Sequence, residues 1–385
     1  MSDMPGTPPT ALVISFSDLQ SDGRVRRQID LIRRHCSTTA LGLANPNIQD
    51  VAFIPATPDP RNVKWQLRAL LVLGLKRFAR YYWTQPPVRS AIENLGNRRF
   101  DYIVANDPSA LPFAASIARG SPILYDAHEY APAKQEDDLR WRLVMKPYYI
   151  WILNRYLKSA TRAITVSQGL ARAYKANFDV SMEVIMNAPR QQALEPSPCE
   201  PETIRLVHHG NAVRRRKLHE LIELMNQLDD RFRLDFILKP SETGYYRELV
   251  EKASGNSRIA FRDPVPPEEI CATINRYDVG VYSMPPANFN MANALPNKLF
   301  EFIQARLAVA IGPTPEMASI VDQYQCGVVA VDFSVGALAS KLNALSHRDI
   351  EDCKRNAGLA AQSLNYENES AKLETIFKSL PSPAR

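Results

Sequence analysis

The chain has 385 residues, 45% hydrophobic and 23% charged, with 47 Lys+Arg against 41 Asp+Glu for a formal charge of +6 and a pI near 9.0. That length is too great for one hydrophobic core and implies two domains, while the ordinary composition excludes a disordered or fibrous chain. Five scattered cysteines (Cys36, Cys199, Cys271, Cys326, Cys353) with no C-x-x-C pair and no regular spacing lack the density of a disulfide framework and fit a reducing cytoplasm.

Taken in chain order, Met1 to Thr10 is polar and proline-bearing, so no signal peptide is expected. Ala11 to Phe16 reads as the first strand, ending in Ser17-Asp18. From Arg61 to Arg99 nine cations (Arg61, Lys64, Arg68, Lys76, Arg77, Arg80, Arg89, Arg98, Arg99) face one acid, Glu93, with Trp65, Phe78, Tyr81, Tyr82 and Trp83 interleaved. The spacing of Trp65, Leu67, Leu70, Leu71, Leu73, Leu75 and Phe78 suits a basic amphipathic helix able to lie on an anionic membrane surface. A similar segment runs from Arg140 to Lys158; the alternative for both is a domain helix with a solvated basic face. No apolar run approaches the roughly 20 residues of a membrane span, and no nucleic-acid recognition motif accompanies the basic stretches.

Further strands are read at Tyr102 to Ala105, Ile123 to Tyr125, Ala163 to Val166 and Glu183 to Met186. Each ends in polar residues: Asn106-Asp107, Asp126-Ala127-His128-Glu129, Ser167-Gln168 and Asn187-Ala188-Pro189. Pro189, Pro196, Pro198 and Pro201 then interrupt any regular element up to Thr203, which marks a linker. Alternation resumes with strand Ile204 to His208, helix Lys217 to Leu228, strand Leu234 to Leu238, helix Tyr245 to Ala253 and strand Ile259 to Phe261. Helix Pro267 to Tyr277, strand Val279 to Ser283, a helix from Asn297 and strand Ala308 to Ile311 follow. Such alternation makes parallel sheets covered on both faces, an α/β class, with polar strand ends gathered along the ligand-binding edge. Two halves of this kind are expected to face a central cleft. On the Asn297 helix Lys298 and Glu301 share a face, since they lie three apart. His208 and His209, adjacent on a strand, point to opposite faces and make no metal site alone.

Several segments together resemble the retaining glycosyltransferases of family 4, with the GT-B fold of two Rossmann-like domains. They are Ser21-Asp22-Gly23-Arg24-Val25-Arg26, Val104 to Asp107, Tyr125 to Glu129, Thr165-Val166-Ser167, Val184 to Pro189, Pro296 to Glu301, and Asn365-Tyr366-Glu367 onward. The resemblance covers roughly residues 11 to 380. It implies an acceptor-binding domain over 1–190, a linker over 191–203, a nucleotide-sugar-binding domain over 204–364 and a helix over 365–385 crossing back to the first domain.

By the same resemblance Arg216 matches a diphosphate-binding cation, Arg214 stands in for another because Asn211 occupies its usual place, and Lys298 is a third. Glu301 is similar to the second Glu of the family's E-x7-E motif, which holds the ribose hydroxyls; Asn293 stands in place of the first. Gly210, Val265, Asn293, Ala294, Leu295 and Asn297 are expected around the donor, and Gly23, Arg24, Asp107 and Glu129 around the acceptor. His128 matches the active-site histidine that contacts the transferred sugar. The implied activity is a hexosyltransferase acting with retention, moving a sugar from a nucleotide donor, UDP-linked by expectation, onto a glycan or lipid-linked acceptor in cell-surface polysaccharide synthesis. No metal and no cofactor are expected, since cations and helix N-termini can stabilise the departing diphosphate. The chain is expected in the cytoplasm, peripheral on the inner face of the membrane. A silent nucleotide-sugar-binding scaffold and a nucleotide-sugar 2-epimerase are the alternatives. A dinucleotide dehydrogenase lacks support, as no G-x-G-x-x-G follows the first strand.

Overall fold

The computed structural model describes residues 8–60 and 62–382. Residues 1–7, part of the segment read for a targeting signal, and Arg61 of the basic stretch lie outside the described residues. Two compact units are present: residues 1–186, 288–291 and 370–385 form the first, and residues 187–287 and 292–369 the second.

In the first unit seven parallel strands, β1 (Thr10–Ile14), β2 (Ser37–Gly42), β3 (Val51–Pro55), β4 (Tyr102–Asn106), β5 (Ile123–Ala127), β6 (Arg162–Thr165) and β7 (Glu183–Val184), lie in the order β3-β2-β1-β4-β5-β6-β7. Successive side chains of a strand face opposite ways, and the central strands feed two cores accordingly. Leu12, Ile14, Ile103, Ala105, Ile123 and Tyr125 enter one. Ala11, Val13, Val104, Leu124 and Ile164 enter the other, together with Leu373, Ile376, Phe377 and Leu380 from the end of the chain.

The second unit holds six parallel strands, β8 (Ile204–Asn211), β9 (Phe232–Lys239), β10 (Ile259–Arg262), β11 (Val279–Tyr282), β12 (Ala308–Ile311) and β13 (Gly327–Val329), ordered β10-β9-β8-β11-β12-β13. Leu206, Phe236, Val281 and Ala310 pack on Leu221 and Met225 of the His219–Gln227 helix. The Asn297–Gln304 helix approaches the other face at Gly280, where a Cβ would stand 2.3 Å from the Phe302 ring. In each sheet the strand order reverses, between β1 and β4 and between β8 and β11, and crevices outside the carboxyl ends of strands form at such points.

Several elements differ from the sequence reading. β2, β3 and β13 were not expected: β2 opens on Ser37-Thr38-Thr39, while β3 and β13 are short edge strands, and β3 ends in a proline. Only Ile270–Ile274 of the Pro267 to Tyr277 segment is α-helical. The helix read from Lys217 starts at His219, because Arg214–Arg216 form a 3-10 turn and Lys217 takes a left-handed φ of 50°. The basic amphipathic stretch is not one helix: Val63–Gly74, Phe78–Trp83 and Pro86–Leu95 are separate, and Lys76 at φ 53° turns the chain between the first two. Among the described residues no helix is long and apolar enough to cross a membrane.

Candidate active site

At the carboxyl ends of β8 and β11 the second unit encloses a cavity of about 740 Å³. The ends of β8 and β9 supply His209, Gly210, Asn211, Ile237 and Lys239; Arg216 comes from the 3-10 turn after β8. Pro264 to Pro267 line it after β10, Tyr282 closes β11, and Asn297, Lys298 and Glu301 enter from the first turns of the Asn297–Gln304 helix. That helix aims its unsatisfied N–H groups and positive dipole end at the cavity, the arrangement that binds phosphate.

The cations are crowded. Lys298 is buried, with Nζ 5.7 Å from the centre of the Tyr282 ring. Burial first, and the Arg216 charge second, lower its pKa to about 8 against the opposing pull of Glu301. Gly210 is what makes room: its φ is +121°, and a Cβ there would stand 2.6 Å from Lys298 Nζ and 3.3 Å from an Arg216 guanidinium nitrogen. Arg216 keeps a hydrogen bond to the Asn211 carbonyl at 3.3 Å. On the other side, burial pushes the Glu301 carboxyl upward and Lys298 pulls it down. Three cations, Arg216, Lys239 and Lys298, and one acid around this cavity make a site suited to an anionic, hydroxyl-bearing ligand.

His209 was weighed in the sequence only as a metal ligand. The structure gives it another place: its Nε2 lies 3.4 Å from Glu301 Oε2, and burial, Lys298 and Arg216 hold its pKa down at about 3, so the ring is neutral. His208, on the opposite face of β8, donates from Nδ1 to the Val281 carbonyl at 2.8 Å and stacks on Tyr282. The alternation along β8 was the available signal for His209.

Of the expected donor residues, Gly210, Val265, Asn297, Arg216, Lys298 and Glu301 converge on the cavity. Asn293, Ala294 and Leu295 do not line it; they lie in the chain between a short helical turn and Pro296. Arg214 corrects the sequence reading, for its guanidinium pairs with Glu248 at 2.5 Å and covers the Tyr245 ring at 4.9 Å, outside the cavity.

The first unit carries its own polar cluster at the ends of β4 and β5. His128 Nε2 is 3.0 Å from Asn106 Oδ1, and the Asn106 amide nitrogen donates to the Ile14 carbonyl at 3.3 Å, so Asn106 presents an acceptor and His128 donates from Nε2. Its Nδ1 lies 3.7 Å from Asp107 Oδ2, and its backbone N–H donates to Asp107 Oδ1 at 3.2 Å. Asp107 begins the Asp107–Ile117 helix at φ +62°, a strained conformation for a residue with a side chain. Arg24 is not available to an acceptor as expected: it grips the fully buried Asp126 through Nε at 2.8 Å and a terminal nitrogen at 2.9 Å, and donates to the Ile185 carbonyl. Glu129 is likewise paired, with Lys134. Gly23 sits exposed at the start of the Gly23–Ile32 helix, where a Cβ would meet only a guanidinium nitrogen of Arg27 at 4.0 Å. Asp126 was missed as the anchor of this cluster, because a buried carboxylate is recognised by partners distant in sequence.

Comparison with known proteins bears on these sites. Residues 32–188 match Glycosyltransferase Family 4. No curated protein matches the chain in sequence. Among solved structures, sucrose-phosphate synthase from Thermosynechococcus elongatus superposes with a TM-score of 0.68 at 13% identity, covering 96% of this chain and 98% of that one. Anabaena Alr3699/HepE in complex with UDP-glucose gives a TM-score of 0.68 at 16% identity over 97% and 100% of the two chains. WaaG, a glycosyltransferase involved in lipopolysaccharide biosynthesis, gives 0.63 at 15% identity over 96% and 100%. At such identities the structures establish the fold alone: the chain has the GT-B fold, and within it residues 32–188 match glycosyltransferase family 4.

Proposed function

We propose that the protein transfers a hexosyl group from a UDP-sugar, with retention of configuration, onto a glycan or lipid-linked acceptor of cell-surface polysaccharide synthesis. One observation carries the reading: Lys298 and Arg216 flank Gly210 at the helix N-terminus that opens on the second unit's cavity, with Glu301 one turn further on. In this reading the two cations and the helix N–H groups take the charge that develops on the departing diphosphate, with no metal ion. Glu301, with neutral His209 beside it, accepts hydrogen bonds from the ribose diol. Residues near Val265 and Asn297 border the nucleobase and the phosphates. His128 serves the transferred sugar, with Asp107 and Gly23 on the acceptor side; Arg24 and Glu129 hold structure instead. No protein nucleophile is invoked. The UDP preference is supported by the fold shared with a protein solved with UDP-glucose.

A thermal-shift panel of UDP, GDP, CDP and ADP, with magnesium and with EDTA, on the wild type and Glu301→Ala tests this. At a concentration 100 times its dissociation constant a nucleotide adds about 2.7 kcal/mol of stability. UDP should stabilise the wild type most, equally in EDTA, and should fail on Glu301→Ala. A stronger GDP, CDP or ADP response overturns the donor assignment, a magnesium requirement overturns the metal-free step, and silence toward all four overturns the site.

A further inference from the structure

The Val63–Gly74 helix of the first unit is oriented opposite to what its composition suggests. Its inner face is Trp65, Ala69, Val72 and Leu73, of which only Leu73 is fully buried. The outer face carries Val63, Leu67, Leu70, Leu71 and Leu75, each between 53% and 69% exposed. These positions, spaced i, i+4, i+7, i+8 and i+12, form one stripe down the helix. Monomeric soluble proteins rarely leave so continuous an aliphatic face uncovered. Exposed Lys64 and Arg68 border the stripe, and exposed Lys76, Arg77 and Arg80 follow its end.

Beneath the same helix lies a cavity of about 390 Å³, bounded by the Phe78–Trp83 and Pro86–Leu95 helices and lined by Trp65, Tyr81, Arg68 and Arg89. Arg89 has Glu93 at 4.0 Å as a loose partner. The Leu139–Tyr156 helix, against which the first helix packs, repeats the pattern at its start: Leu139 and Leu143 are 58% and 69% exposed beside exposed Arg140 and Arg142.

We propose that this face rests on an anionic lipid bilayer, with the aliphatic stripe in the acyl boundary, the bordering cations among the head groups, and the Arg68/Arg89 cavity taking a head-group phosphate. The charge pattern selects the occupant. A second copy of the chain would bring cations against cations around the stripe, and nucleic acid offers nothing to five aliphatic side chains. A bilayer with anionic lipids satisfies both at once, as interfacial amphipathic helices do. The proposal stands apart from the donor assignment, since it uses no residue of the second unit.

Co-sedimentation of the full chain with phosphatidylcholine vesicles, with and without phosphatidylglycerol, tests it. The wild type should partition to the anionic vesicles only, and less at high salt. Leu67→Asp/Leu71→Asp should lower the partition coefficient by at least about tenfold for each leucine returned to water. Arg68→Gln/Arg89→Gln should lower it by roughly fivefold per charge. All these side chains are on the surface or line a surface cavity, and unchanged far-ultraviolet dichroism melts will show the variants folded. Absence of wild-type binding to anionic vesicles, or equal binding by the leucine variant, overturns the proposal. Unchanged binding by the arginine variant overturns the head-group cavity. A wild-type dimer in sedimentation velocity that the leucine substitutions dissolve assigns the stripe to self-association instead.

Discussion

At the scale of single residues the decisive group is Lys298, whose charge is both needed by a diphosphate and opposed by its surroundings. Burial and the Arg216 charge lower its pKa to about 8, Glu301 notwithstanding. Below pH 8 the ammonium is present and affinity for UDP should be flat. Above it the free site loses its proton while bound diphosphate, by its negative charge, raises the pKa and retains it. Binding then takes up a proton, and affinity should fall by about tenfold per pH unit until the pKa of the complex is reached. Lys298→Arg, which cannot deprotonate, should remove this fall. Calorimetric titration of UDP between about pH 7 and pH 10 in two buffers of different ionisation enthalpy reads both affinity and proton uptake. A flat wild-type profile through that range would remove Lys298 from the diphosphate site. Lys298 and Glu301 were legible in the sequence because a helix puts residues three apart on one face. The choice between Arg214 and Arg216 was not, since it is made by a 3-10 turn and the left-handed Lys217. Nor could the sequence show that Arg24 and Glu129 are already spoken for by Asp126 and Lys134.

At the scale of elements, strands with an apolar run were read well and strands without one poorly, wherever they lie in the sheet. β1, β4, β5, β8, β9, β11 and β12 carry apolar runs that only a covered sheet explains. β2, whose first residues are hydroxylic, and the edge strands β3 and β13 carry too little apolar sequence to announce themselves. The junction at the start of β11 was invisible for another reason: its members come from four distant segments. Asp278, fully buried, receives Arg205 Nε at 3.0 Å and Lys354 Nζ at 3.1 Å, and Lys354 also donates to Ser197 Oγ and the Tyr277 carbonyl, both at 3.0 Å. This ties the His347–Ser363 helix to the sheet and to the segment before β8. Asp278→Asn leaves Lys354 buried without its counter-charge and should cost about 3–5 kcal/mol. Lys354→Met should cost less, because Arg205 still pairs with Asp278. Burial pulls the Asp278 pKa up, but Arg205 and Lys354 outweigh it and hold it below the ordinary 3.8. Its contribution is therefore present above that value and lost as pH falls through the lower folded one. Urea unfolding of wild type and Asp278→Asn should show a gap that is full at neutral pH and narrows in acid; a constant gap would mean that the carboxylate charge contributes nothing.

At the scale of the whole molecule the chain leaves its first unit at residue 186, builds the second, and ends back in the first. The Tyr366–Lys378 helix and the residue after its last turn bring Leu373, Ile376, Phe377 and Leu380, all between 4% and 7% exposed, onto the β1 face that holds Ala11 and Val13. Phe377 meets Tyr102 with ring centres 5.2 Å apart, and Glu374 lies 3.1 Å from His35. Four buried side chains of this size contribute roughly 6–12 kcal/mol at about 1.5–3 kcal/mol each. A whole domain is stable by only about 5–15 kcal/mol. The Tyr366–Lys378 helix therefore shares the covering of one face of the first sheet with the Gly23–Ile32 helix, whose Val25, Ile29 and Ile32 lie in the same core, and the first unit falls short of its full stability without it. Deleting residues 370–385 should leave the second unit's cavity able to bind UDP while the first unit becomes protease-sensitive and exposes apolar surface to a hydrophobic dye. A synthetic peptide covering residues 366–382, added to the truncated chain, should restore protease resistance. A truncated chain with the wild-type urea midpoint and proteolysis pattern would show instead that the Gly23–Ile32 helix alone covers that face well enough.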